Sequence, residues 1–186
     1  MLNKPYRFVV PFILALLVVG LTLPACTCQK PTGTEIPSTQ PAGALTFEAA
    51  EYENTDYGFS VKYPNDWKQQ EAVPGTVFVA AAAKRVPAMS VGILDGATFD
   101  EALIAGLSLQ GSDIKIQNEM QTTLLDGTPA TEAVVKWKAQ NLGADTFSLG
   151  VQKEGKWIIV SVTTVSLLAK YDEPLFSEIV HTLQFK

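Results

Sequence analysis

Tyr57-Gly58-Phe59-Ser60-Val61-Lys62-Tyr63-Pro64-Asn65-Asp66-Trp67 is the stretch on which the reading of the fold turns. Tyr57, Phe59, Val61 and Tyr63 alternate with Gly58, Ser60 and Lys62, the period-two pattern of a strand with one buried face. Pro64 lacks the amide a sheet ladder needs and ends the strand, Asn65-Asp66 turns the chain, and Trp67 is placed to pack back on it. The folded part of the chain therefore opens on a β-strand.

Downstream, Thr76 to Ala83 and Ala88 to Leu94 are nearly continuous apolar runs bounded by Pro74-Gly75, Pro87 and Asp95-Gly96, and they predict two more strands. Thr98-Phe99-Asp100-Glu101 is a capping box, which predicts a helix from there to about Gln110. Phe99, Leu103 and Leu107 fall on one face of that helix, and Gly111 supplies its stop. Four further strands are predicted: Ile114 to Thr123, Thr131 to Gln140 with Ala133, Val135 and Trp137 on one face, Thr146 to Gln152, and Trp157 to Val165. Asp126-Gly127, a loop at Asn141 to Asp145, and Glu154-Gly155 separate them, so they read as an antiparallel meander. Asp172, Glu173 and Pro174 suit the first turn of a closing helix whose buried stripe is Phe176, Ile179, Val180 and Leu183. Strands in runs with few, segregated helices indicate an α+β domain, an antiparallel sheet flanked by helices, over residues 46–186.

Upstream of the domain, residues 26–45 are rich in Pro, Thr, Gly and Ser, a composition that cannot bury enough apolar surface to offset its ordering entropy. A disordered tether is expected there, reaching about 25 Å on average. Before it, Lys4 and Arg7 precede an apolar run from Phe8 to Leu23, and Ala25 stands before Cys26, the three-part pattern of a signal peptide over residues 1–25. The run is interrupted by Pro11 and Gly20 and falls short of the roughly 20 apolar residues a spanning helix needs.

Two resemblances bear on this reading. Leu23-Pro24-Ala25-Cys26 resembles the bacterial lipobox, although Pro24 is an unusual filler. The resemblance implies a diacylglyceryl thioether on Cys26, and usually a further acyl chain such as palmitate on its amino group. Two chains anchor stably where one is marginal. Cys28 is left as a bystander, because a disulfide between residues one apart is strained and two thiols are too few for a zinc site. The segment from Tyr57 to Trp67 looks like the "YGFSIKYPxxW" opening of the PsbP/Mog1/DcrB-like group, and the order of later elements is also similar. That resemblance implies an α/β/α sandwich, and functions that are diverse and mostly non-catalytic: photosystem accessory proteins, a small-GTPase-binding protein and envelope lipoproteins. The functional residues of the photosynthetic members do not carry over, since only the structural opening matches.

The domain offers no reagent that stands out. Its one histidine, His181, lies opposite the apolar stripe of the last helix and is expected to face solvent. There is no Gly-x-Ser-x-Gly elbow, no phosphate-cradling glycine loop and no calcium loop. Asp100, Glu101, Asp172 and Glu173 read as helix-start residues, and Tyr63 and Trp67 as core rather than as a ligand platform. No catalytic, cofactor or metal residue is nominated, and the single candidate site residue is Cys26, for lipid attachment. Without Lys4 and Arg7, the 14 basic side chains fall to 12 against 19 acidic, a net charge of −7. That balance speaks against nucleic acid as a partner and against electrostatic adhesion of the whole chain to anionic lipid. The expectation is a lipoprotein on the extracytoplasmic face of the membrane, acting as a non-catalytic binding or accessory module for envelope proteins. The alternative is an envelope small-solute binder or hydrolase with a cleft that sequence does not reveal.

Overall fold

Strand β2 (Phe59–Pro64) is the predicted opening strand, and its apolar face is fully buried at Phe59 and Val61. The computed structural model describes residues 44–186. The expected signal peptide, Cys26 and the tether up to residue 43 lie outside the described residues. β2 pairs antiparallel with β1 (Ala49–Asn54) on one side and with the short β10 (Gln184–Phe185) on the other, in a three-stranded sheet of its own. The sequence reading missed both partners. β1 is the polar run Ala-Ala-Glu-Tyr-Glu-Asn, held by its ladder to β2 and by Tyr52, which stacks on Phe78 at 4.2 Å between ring centroids. Trp67 is buried after the turn, as expected, and Tyr63 packs on Phe78 at 5.4 Å.

The second sheet has seven strands in the order β3-β4-β5-β9-β8-β7-β6, all antiparallel. β3 is Lys68–Gln69, β4 Phe78–Ala81 and β5 Ala88–Leu94. The meander follows helix α1 (Phe99–Ser108): β6 (Gly111–Thr123), β7 (Pro129–Ala139), β8 (Leu142–Lys153) and β9 (Lys156–Val165). The expected loop at Asn141 to Asp145 is a tight turn instead. Gln140 and Asn141 both have positive φ, 49° and 68°, the backbone of a two-residue hairpin turn, and Leu142 pairs at once with Ala139. Gly143 and Asp145 look like loop residues but lie in β8 on either side of the buried Ala144.

Helix α1 begins at the predicted cap: Thr98 Oγ1 accepts from the Glu101 amide (3.3 Å). The Glu101 carboxylate reaches one residue further back than in the usual box, accepting from the Ala97 amide (2.9 Å). Helix α2 (Glu173–Val180) is capped by Asp172, whose Oδ1 accepts from the Leu175 amide (3.3 Å).

The two helices cover opposite faces of the large sheet. Toward α2 and the small sheet, β9 presents Ile158, Val160 and Val162, and β8 presents Phe147, Leu149 and Val151; these meet Phe176, Ile179, Val180, Phe59 and Val61 in the main core. Toward α1, Ala133, Val135 and Trp137 of β7 join Ile159, Phe99, Leu103 and Leu107 in a second, smaller core. This is the expected α/β/α layering of an α+β domain, with the small sheet sharing the α2 layer.

Helix α1 seats closely because glycine lies beneath it. A Cβ on Gly150 of β8 would stand 2.6 Å from the Phe99 ring, well inside contact distance. Gly150→Ala is therefore expected to lower stability by about 1–3 kcal/mol through overpacking. Gly143→Ala on the same strand meets only the Ser166 hydroxyl, at 3.8 Å, and should change it by less than about 0.5 kcal/mol. Urea unfolding of the two variants checks both, and equal losses would refute the steric account.

Candidate functional site

The last turn of α2 carries a buried ion pair, which the sequence reading missed. His181 is the C-cap of the helix, and its side chain is only 13% exposed rather than facing solvent. A helical wheel assumes one buried face, but α2 lies against β8 and β9 on one flank and β2 on another, so the position opposite the stripe is covered too. Its Nδ1 is 2.8 Å from the Ser177 carbonyl oxygen, which can only accept, so Nδ1 carries a proton. Its Nε2 is 3.1 Å from Oε2 of Glu132 on β7, whose side chain is 10% exposed. The Nε2–H is not aligned on that oxygen, which has no hydrogen-bond partner, so the contact is one of charge, and a carboxylate at that distance favours the imidazolium. Burial is the largest single influence and opposes the charge. The Glu132 carboxylate 3.1 Å away and the Ser177 carbonyl together outweigh it, and hold the His181 pKa above its ordinary value.

Glu132 also lines a cavity of about 310 Å³ beside the β6–β7 pairing, with Glu119, Met120, Val134, Phe147 and Glu173. A β-bulge shapes it. Gln117 pairs with Val134 and Met120 with Glu132, so Asn118 and Glu119 stand opposite Ala133 alone, and Asn118 adopts a φ of 50°. Desolvation, then a hydrogen bond with Asp100 and the charge of Asp100, raise the Glu119 pKa. The acidic helix-start residues thus divide. Asp172 and Glu101 serve the caps as expected, while Asp100 meets Glu119 and Glu173 borders the cavity.

The other face of the sheet holds hydroxyls instead of charges. Ser148 and Ser161 bond to each other (2.8 Å), Thr146 bonds to Thr163 (2.8 Å), and the Trp137 indole donates to Thr146 (2.9 Å). These are cross-strand neighbours on β8 and β9, and they satisfy one another beneath α1. A serine needs an adjacent base to become a nucleophile, and His181 belongs to the opposite face. Among the described residues no group of three or more His, Cys, Asp or Glu is arranged to hold a metal ion, and no helix is long and apolar enough to cross a membrane. Cys26 lies outside the described residues.

No family model and no curated protein sequence matches this chain. Among solved structures, cyanobacterial PsbP (CyanoP) from Synechocystis sp. PCC 6803 superposes with a TM-score of 0.55 at 16% identity, over 78% of this chain and 97% of that one. The fold is PsbP-like. A protein of unknown function from Pseudomonas aeruginosa, PA94, described as a putative regulator, matches with a TM-score of 0.43 at 12% identity, over 74% of this chain and 97% of that one. The PsbP-like fold agrees with the resemblance at Tyr57 to Trp67, where the opening strand, its turn and Trp67 form part of the main core.

Because the native pKa of His181 is raised, the pair stabilises the domain fully below the unfolded histidine value of about 6.5, and that contribution is lost as pH rises through the native pKa. The urea midpoint should accordingly fall from pH 6 toward pH 9, and His181→Gln should flatten that dependence. His181→Ala leaves Glu132 buried without a partner and should cost about 3 kcal/mol near pH 6. A wild-type profile that stays flat over this range would refute the assignment.

Proposed function

We propose that this chain is an extracytoplasmic lipoprotein, held at the membrane by acyl chains on Cys26, whose PsbP-like domain is a non-catalytic binding or accessory module for envelope proteins. The observation that carries this reading is the placement of the chain's reactive groups. Both cysteines, Cys26 and Cys28, precede the domain. The one histidine is tied into an ion pair with Glu132, and the buried serine hydroxyls of β8 and β9 bond to each other. What remains is a folded head behind a Pro/Thr/Gly/Ser-rich tether, suited to meeting a partner near a membrane. A small-solute binder is the second reading, favoured by the cavity lined by Glu132 and Phe147; a bound solute would shift the NMR resonances of Met120 and Phe147.

Mass spectrometry of the mature amino terminus should find Cys26 as the first residue, carrying a diacylglyceryl group. Cys26→Ser should move the protein from the membrane fraction to the soluble fraction or leave its signal uncut. An unmodified Cys26 thiol, or a chain beginning upstream of it, would sink the anchor. For the module itself, crosslinking in intact cells should recover one reproducible envelope protein, and a chain that crosslinks to none counts against that role.

A further inference from the structure

The cavity beside the β6–β7 pairing is lined by polar side chains of nearly one chemical kind. Glu119, Glu132 and Glu173 contribute carboxylates, and the Asn118 amide is the one side-chain hydrogen-bond donor in the lining. No lysine or arginine lines it. The rest of the wall is apolar, from Met120, Ala133, Val134 and Phe147. Met120 is 50% exposed, so the cavity opens to solvent at the bulge of β6. An anionic solute would meet carboxylates with almost nothing to donate to it, and a bare hydrocarbon would leave those carboxylates without partners.

One of the three carboxylates is set apart from a solvated surface group. The Glu132 side chain is only 10% exposed, it lines the cavity, and its Oε2 accepts no hydrogen bond. A buried acceptor left unbonded is costly, and the His181 ring answers its charge without supplying an aligned N–H. Glu173 is exposed in the first turn of α2, where Asp172 and not Glu173 is the cap. Glu119 meets Asp100 of α1, so the two add to the negative charge around the cavity instead of answering it. The positive groups nearby are His181, beside Glu132, and the exposed Lys136 and Lys115, which pair with each other two residues beyond Val134 on β7. Neither lysine lines the cavity, and Lys136 has Asp145 across from it on β8. At the cavity itself, one imidazolium stands against three carboxylates.

We propose that this cavity is a site for a primary ammonium ion on a short hydrocarbon body, its N–H groups donating to Glu132 and Glu173 and its hydrocarbon lying against Met120, Val134 and Phe147. The class follows from what the lining lacks. A primary ammonium brings both positive charge and several N–H donors. A quaternary ammonium brings the charge but no N–H for the unbonded Glu132 oxygen, and an alcohol brings one donor and no charge. Hydrogen bonds assisted by charge are roughly twice as strong as neutral ones, so the primary ammonium should win over both. The inference rests on the small-solute reading of this cavity and names the class of solute it takes.

The test titrates the full chain, in a zwitterionic detergent near neutral pH and with isotope-labelled methionine methyls, with butylammonium, butanol, butyrate and tetramethylammonium. Butylammonium should shift the Met120 methyl saturably and leave the methyl of Met89, buried in the main core, in place. Butanol and tetramethylammonium should bind at least about tenfold more weakly, and butyrate not at all. Glu132→Gln should weaken butylammonium about tenfold. Glu173→Gln, at an exposed position that leaves folding intact, should weaken it about threefold and keeps the test open if the first variant does not fold. Butanol or tetramethylammonium binding as tightly as butylammonium overturns the proposal and leaves the solute reading standing. Shifts that rise without saturating, or that Met89 shares, also overturn it. If no probe moves Met120, the solute reading falls with the proposal.

Discussion

The central strands β8 and β9 have no face left for water, and the rest of the domain follows from that constraint. On the α2 side they present Phe147, Leu149 and Val151 beside Ile158, Val160 and Val162, and the small sheet and α2 close over them. On the α1 side they present Thr146, Ser148 and Gly150 beside Ile159, Ser161 and Thr163. Buried hydroxyls carry a desolvation penalty unless they are bonded, and here they bond across the strand pair itself, Ser148 to Ser161 and Thr146 to Thr163. Gly150 removes side-chain bulk where Phe99 must descend, so α1 can seat on a face that is only partly apolar.

How much of this could be read in the chain depended on whether the signal was local. The alternation from Phe59 to Tyr63, the Thr98 cap and the strands around Trp137 and Trp157 all carry their own pattern and lie in the elements expected, while Tyr57 and Gly58 fall in the turn before β2. β1 and β10 do not. Glu51, Tyr52 and Glu53 read as strand only once β2 supplies a ladder and Phe78 supplies a ring for Tyr52. Polar residues at Asn141, Gly143 and Asp145 suggested a loop because their composition hides the one buried position among them, Ala144, which pairs with Trp137. The Glu132–His181 pair had no local signal at all. Glu132 alternates with the buried Ala133 and Val135 as a solvent-facing residue would, and His181 is covered only because α2 is flanked on more than one side.

The same distinction runs through function. A PsbP-like fold positions a core and says little about chemistry, since sites are grafted onto folds rather than dictated by them. What individualises this domain lies where the fold is irregular: the bulge at Asn118 that opens the cavity, the helix end that buries His181, and the turns that carry Leu142 and Leu167. Irregular backbone is where side chains escape the repetitive demands of sheet packing, and where relatives of one fold diverge.

One contact near the start of the described chain has a mechanical meaning. The Glu178 carboxylate of α2 accepts from the Thr46 amide (2.7 Å) and from the Thr46 hydroxyl, three residues before β1 begins. Any tension arriving along the chain from residue 45 meets this two-point clasp before it reaches the β1–β2 ladder. Without it, the load would fall first on the bonds that Asn65 donates to Glu48 and then on the Ala49–Pro64 rung, and would peel the antiparallel ladder one rung at a time. With it, the load passes sideways into α2 and the main core, so the clasp shields the small sheet from any pull applied upstream of Thr46.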